Sequence, residues 1–432
     1  MSSDVFVAGL GAITAIGNDV AGCLAALEGG QAGMGEMRWL DSVHREEIPV
    51  AEVKMDNEAL AARAGLRGSA SEGAGSSELT DPVRSGSRLI SLVNPSRTAL
   101  LSLIAAREAL EDAGIGDQSS LRMGFISANT VGGMDKSEGF FADFLSDPRK
   151  GRLRDVILHE CGSVTEWVAG QLGIRDYVTT ISTACSSSAN SIFFAARMIR
   201  HGLLDIAVAG GTDALTKFTL NGFNTLMILD REYCKPFDEH RNGLNLGEGA
   251  GYLVLVSERV AAAMKAGRRE WKAYCRLSGY CNANDAYHQT ASSPEGTGSY
   301  LAMKGALEQS GLQATDIGYI NLHGTGTQNN DLAEGIAIRR LFDPHFPAMS
   351  STKSFTGHTL GASGGVEAVL SALAVENGFI YPNLRWGTPM AELPFVPETA
   401  FRRNESIRHV MSNSLGFGGN CSSLIFSKIE DK

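Results

Sequence analysis

The feature that most restricts the fold is an alternation of short apolar runs with helical segments, sustained over most of the chain. The runs "MGFISANT", "YVTTIST", "DIAVAGG", "GYLVLVSE", "IGYINLHG" and "SSLIFSK" have strand length and are rich in β-branched residues. Between them lie stretches such as "SRTALLSLIAAREALEDAGI" at 96–115, whose apolar residues recur at helical spacing and which closes on a glycine. Strands separated by helices point to an α/β protein with a mostly parallel sheet and helices on its faces. From about residue 259 the same style starts again, with the helix-like "GSYLAMKGALEQSG" between strand-like runs. Two similar α/β halves are therefore expected, 1–258 and 259–432. A chain of 432 residues is long enough to bury a core in each.

Several function classes fall away early. "VFVAGLGAITAIG" resembles a dinucleotide-binding turn, but Thr14 stands where that fingerprint needs glycine, and no acidic residue ends a following strand at the right distance. A net charge of −10 argues against nucleic acid or an anionic membrane as principal partner. The N-terminus has no basic region, and no segment reaches the roughly 18 apolar residues of a membrane span, so a cytoplasmic protein is expected. The seven cysteines form no CxxC pair and no finger spacing. That suits a reduced compartment and gives no reason to expect a metal or another cofactor. Residues 66–88, rich in Gly and Ser and without periodicity, read as a mobile surface loop.

The chemistry centres on "TTISTACSSSANSIFF" at 179–194. Cys185 follows a β-rich run and directly precedes a helix-like segment. A thiol there sits among unpaired backbone N–H groups at the positive end of a helix dipole, which favours thiolate. Taken alone, such a cysteine is more often a packing residue. Three further glycine-punctuated segments change the balance. "NLHGTGTQNND" carries His323, Thr325 and Thr327; "STKSFTGHTLGASGGVE" carries Lys353, His358 and Glu367; "SNSLGFGGN" carries Phe417 in a glycine loop. One thiol, two histidines, a lysine with a carboxylate and a loop able to present N–H groups suit acyl transfer through a thioester.

"TACSSS", "HGTGT" and "KSFTGH" together resemble the Cys-His-His set of the elongating β-ketoacyl-acyl-carrier-protein synthases. "KPFDEHRNGLNLGEGAG", "DAYHQTASSPEG" and "GFGG" resemble further blocks of that family, in order along nearly the whole chain. The resemblance implies a thiolase-like fold of two halves with mixed central sheets in α/β/α/β/α layers, and decarboxylative Claisen condensation. It implies a homodimer or a heterodimer with a related subunit, working on acyl and malonyl forms of an acyl-carrier protein. Cys185 is then the acyl acceptor, the N–H groups of Cys185 and Phe417 an oxyanion hole, and His323 and His358 donors to the enolate. Lys353 and Glu367 support the histidine loop, Thr325 and Thr327 grip the pantetheine arm, Phe417 gates the acyl pocket and Val131 lines it. Arg149 and Lys150, in the basic run "DPRKGRLRD", fall where the family docks its carrier.

Departures from the pattern bear on substrate. Asn420-Cys421 replaces the usual Thr-Asn after the glycine loop, and Leu415 stands where an aromatic is common. They leave room for a polyene, pigment or polyketide pathway beside fatty acid synthesis. Two other readings compete: a non-catalytic chain-length partner, which loses the nucleophile, and a thiolase or starter-unit synthase using coenzyme A thioesters. A thiolase is expected to carry a second catalytic cysteine near the C-terminus, and Cys421 keeps that idea open.

Overall fold

A computed structural model describes residues 4–66, 95–115, 121–267 and 271–429, so the glycine/serine-rich stretch expected to be a mobile loop lies outside the described residues from 67 onward. Among the described residues ten strands form one continuous sheet: β1 (Val5–Thr14), β2 (Met123–Ala128), β3 (Tyr177–Ile181), β4 (Ile206–Asp213), β5 (Gly249–Ser257), β6 (Cys275–Asn284), β7 (Tyr319–Asn321), β8 (Ala348–Ser350), β9 (His409–Leu415) and β10 (Asn420–Ser427). Their order is β3-β2-β4-β5-β1-β6-β10-β9-β7-β8. Numbered within each half, both halves have the same order, third-second-fourth-fifth-first, and they meet through a short β1–β6 ladder around Phe6 and Val7.

The sheet is mixed rather than mostly parallel. β2–β3, β2–β4, β7–β8 and β7–β9 are parallel, whereas β1–β5, β4–β5, β1–β6, β6–β10 and β9–β10 are antiparallel. Strand–helix alternation predicts parallel neighbours only where a helix carries the chain back across one face. The 416–419 turn between β9 and β10 is far too short for a crossover, so that pair must be antiparallel.

The layers follow from where the apolar residues lie. Helix Ser363–Asn377 is buried at every position from Ser363 to Val375, the pattern of a helix enclosed on all sides. It packs against helix Ser187–Arg200, and the two share one central core with inward residues of both half-sheets, among them Leu253, Leu255, Leu424 and Phe426. Helix Arg97–Ala113 covers the outer face of the first half and helix Thr297–Ser310 that of the second. The two glycines that resembled a dinucleotide turn serve this packing. A Cβ on Gly9 or Gly11 would lie 2.2 or 1.9 Å from the Ala109 or Ala105 carbonyl oxygen of helix Arg97–Ala113, so only glycine lets β1 approach it. Among the described residues no helix is long and apolar enough to cross a membrane.

Candidate active site

Every candidate catalytic side chain follows the carboxyl end of a strand in a parallel segment. Cys185 comes after β3, His323 after β7, Lys353 and His358 after β8, and Phe417 after β9. Because the halves share one topology, the loop after β3 and the loop after β8 are counterparts, one bearing the thiol and the other the Lys353–His358 segment. Loops at the carboxyl ends of both parallel segments thus converge on one place, as ligand sites of α/β sheets do. A cavity of about 440 Å³ lies there, lined by Cys185, His323, His358, Thr325, Thr327 and Phe417, with the exposed Met227 on its rim.

The nucleophile sits on a tight turn. Ala184 has a φ of 53°, unusual for a residue with a side chain, and the turn is held by the Thr183 N–H donating to Ser187 Oγ at 2.7 Å. Cys185 is buried, and burial pushes its thiol up to about 11 against the pull of Lys353 and of the Phe417 and Cys185 N–H groups. The helix-terminus argument for a thiolate accounts for only part of this balance, because it leaves out how little water reaches the sulfur. The same N–H groups act on the sulfur from two different loops.

The two histidines are held neutral, each by burial first and by Lys353 second, with His358 acting on His323 as well. Their tautomers follow from their partners. The Leu360 N–H donates to His358 Nδ1 at 3.1 Å, so that nitrogen carries no proton and Nε2 does. Lys353 Nζ lies 3.3 Å from His323 Nδ1 and, donating there, leaves His323 also with an Nε2–H. The rings stand edge to face, centroids 5.4 Å apart. Two neutral imidazoles with fixed N–H donors therefore border the cavity that holds the thiol.

Lys353 is in turn paired with Glu367 from the enclosed central helix, both almost fully buried. Burial pushes the Glu367 carboxyl up against the pull of Lys353. Thr325 and Thr327 share a hydroxyl–hydroxyl hydrogen bond of 2.9 Å on the cavity wall, and Phe417 stacks on Phe223 with centroids 5.7 Å apart. Val131 is not among the cavity's lining residues. It shares a buried apolar cluster with Leu220 and Leu360, and its N–H donates to Asp213. Arg149 and Lys150 are exposed on the turn after helix Met134–Ser146, Arg149 reaching Asp147 at 3.1 Å. Cys421 is buried beneath the glycine loop and does not line the cavity, which removes the second catalytic cysteine that a thiolase needs.

Three supporting carboxylates were not singled out from the sequence. Glu334 accepts the His323 and Gly324 N–H groups, each at 2.9 Å, and Asp331 accepts those of Thr325 and Gly326. Both lie early in helix Gln328–Phe342, so "NNDLAE" directly after "HGTGTQ" is a legible signal: carboxylates three residues apart that fold back on the loop before them. Asp213, ending β4, accepts from Thr130, Val131 and Gly361 and so ties the first half to the His358 loop. No local pattern in the sequence reveals that link, which joins residues 148 apart.

Comparison with known proteins agrees with this geometry. The family described as beta-ketoacyl synthase, N-terminal domain, matches residues 2–261, and its C-terminal domain matches residues 274–386. The 3-oxoacyl-[acyl-carrier-protein] synthase 2 of Staphylococcus aureus strain N315 is 37% identical over 342 residues, covering 76% of this chain and 81% of that protein. The enzyme of the same name from Vibrio cholerae is 35% identical over 346 residues, covering 76% and 81%. Among solved structures, the ishigamide ketosynthase/chain length factor superposes with a TM-score of 0.86 at 27% identity, covering all of both chains. A ketosynthase in complex with its chain length factor from Xenorhabdus doucetiae superposes with a TM-score of 0.80 at 30% identity, covering 99% of this chain and 98% of that one. With a thiol and two neutral histidines gathered at one cavity of a matching fold, and a buried lysine against one of those histidines, the chain belongs to the β-ketoacyl synthase family of acyl-transferring condensing enzymes.

Proposed function

We propose that the protein is an elongating β-ketoacyl-acyl-carrier-protein synthase in which Cys185 receives the growing acyl chain. The observation that carries this reading is the convergence of Cys185 with His323 and His358 on one cavity. A chain-length partner would lack the thiol. In the first half-reaction the Cys185 sulfur attacks the carrier thioester, the Cys185 and Phe417 N–H groups stabilise the oxyanion, and the pantetheine thiol leaves with the proton. In the second, malonyl thioester loses carbon dioxide. The two Nε2–H donors stabilise the enolate oxygen, the enolate carbon attacks the acyl-cysteine carbonyl, and the acyl C–S bond breaks, which expels Cys185 as thiolate to be reprotonated and leaves the β-ketoacyl product on the carrier thioester. Thr325 and Thr327 hold the pantetheine arm, Phe417 gates the pocket, Lys353 with Glu367 holds the histidines, and Val131 shapes the pocket from behind its wall.

The halves 1–258 and 259–432 act as one catalytic unit, and the partner is an acyl-carrier protein in its acyl and malonyl forms. The second subunit is either a copy of this chain or a related chain, as in the solved ketosynthase–chain length factor pair. Among the described residues β3 ends the sheet with its outer edge unpaired, which suits such a subunit. The expected compartment is the cytoplasm, and the acyl chain is a fatty acyl or a related polyene or polyketide chain. Intact-mass analysis after mixing with acyl carriers of several chain types tests the whole reading. An acyl adduct on Cys185 supports it and names the substrate, and no adduct with any carrier overturns it.

Two further results follow from the site. Because both histidines stay neutral, malonyl decarboxylation should be flat between about pH 6.5 and 8, where an ordinary imidazole with a pKa of about 6.5 still titrates. A folded pKa below the usual value means that protonation, and loss of rate, begins only at lower pH. A rate that rises in step with imidazole deprotonation across that window would show the assignment wrong. Replacing both Arg149 and Lys150 by Glu should slow reaction with carrier-bound substrate and hardly change reaction with a small pantetheine thioester. Salt should narrow the difference, since exposed charges are screened over about 8–10 Å at 0.10–0.15 M. Carrier kinetics unchanged at low salt would leave these residues as a solvated turn.

A further inference from the structure

Asn420, one of the departures from the family pattern, takes no part in the chemistry above, yet it joins the two loops that build the oxyanion hole. Its backbone closes the glycine loop, the Gly416 N–H donating to the Asn420 carbonyl at 2.8 Å. Its side chain leads to the nucleophile turn. Asn420 Oδ1 accepts from Ser186 Oγ at 2.7 Å, from Asn190 Nδ2 at 2.9 Å and from Asn282 Nδ2 at 2.8 Å. Ser186 directly follows Cys185, and Asn190 lies one turn into the following helix and also donates to Thr183 Oγ1 at 2.8 Å. Other bonds of the glycine loop run to the segment that precedes helix Thr297–Ser310: the Gly418 N–H donates to the Gln289 carbonyl at 2.7 Å, the Gly418 carbonyl accepts from Asn284 Nδ2 at 3.0 Å, and the Gly419 carbonyl accepts from the Asp285 N–H at 2.8 Å. Those anchors set the loop's position relative to segment 284–289, not relative to the nucleophile turn.

We propose that Asn420 is a positioning residue, which holds the glycine loop, and with it the Phe417 N–H, against the Cys185 turn. Three donors converge on one oxygen from both sides of the gap, so the carbonyl fixes the separation between the loop and the nucleophile. Close approach is possible because Gly416 carries no side chain: a Cβ there would lie 2.9 Å from the Thr183 carbonyl oxygen. The consequence is specific to the step in which negative charge develops on the thioester oxygen. Substrate binding, which depends on the threonine wall, should not feel it. The inference rests on the reading of Cys185 as acyl acceptor.

The test follows acylation of the full chain by a short acyl-pantetheine thioester, with initial rates read by intact mass. Asn420→Leu keeps the size and removes the acceptor, whereas Asn420→Thr keeps an acceptor oxygen and restores the residue usual in the family. The Leu variant should lose at least about tenfold in maximal rate with KM within about twofold, since removing one oxyanion donor outright costs about 100- to 1000-fold. The Thr variant should recover most of that loss. A folded Leu variant with the wild-type rate overturns the proposal, as does a change confined to KM. If Asn420→Leu does not fold, Asn282→Ala removes one exposed donor from the same oxygen. A lower maximal rate at unchanged KM then supports the clamp, and an unchanged rate overturns it. Wild-type protein that takes up no acyl group would overturn the assignment of Cys185 instead.

Discussion

Cys185→Ala should abolish covalent acylation and condensation together while leaving some decarboxylation of malonyl carrier. Among the described residues, Cys185 is the cysteine that lines the cavity with both histidines. Cys161, Cys234 and Cys421 are packed elsewhere, with thiols that burial pushes up. No other sulfur is placed to take the acyl group, so no detour remains. The enolate-stabilising donors lie on other loops and should survive the change. Intact mass after incubation with acyl carrier checks the first half, and carbon dioxide release from malonyl carrier checks the second. A full acyl adduct on the alanine variant would remove Cys185 from its role.

His358→Ala should cost malonyl decarboxylation about 100- to 1000-fold, or roughly 2.7–4 kcal/mol, with a smaller effect on acyl loading. The asymmetry follows from where charge develops. In the proposed mechanism the loading oxyanion faces the Cys185 and Phe417 N–H groups, whereas the enolate of decarboxylation is the partner of the two Nε2–H donors. His358 is a well-defined donor, because the Leu360 N–H and the Ser363 hydroxyl, 3.1 and 2.9 Å from Nδ1, fix its tautomer. His323→Ala should act in the same direction. Equal losses in the two half-reactions, measured separately, would assign the histidine a structural role instead.

The residues proposed to carry the chemistry were legible because each lies in a short contiguous signal. A β-rich run before and a helix-like run after marked Cys185, glycine-punctuated segments marked His323, His358 and Phe417, and the structure brings all four to one cavity. The α/β class and the repeat of style at mid-chain were legible for the same reason, since periodicity is a local property. Strand direction was not. A chain can return beside a strand in either sense, and the neighbours β4 and β5 are antiparallel because packing chose so. The thiol's acidity was misjudged from the sequence, because a helix N-terminus is visible there and desolvation is not: it depends on which distant segments cover the sulfur. The Asp213 link to Gly361, the Lys353–Glu367 pair inside the protein and the Asn420 clamp on the nucleophile turn likewise join residues brought together only by folding. Sequence alone determined which groups are proposed for acyl transfer. Tertiary structure decided their protonation, their tautomers and the separation of their loops, because burial and hydrogen-bond partners are set by contacts between segments far apart in the chain.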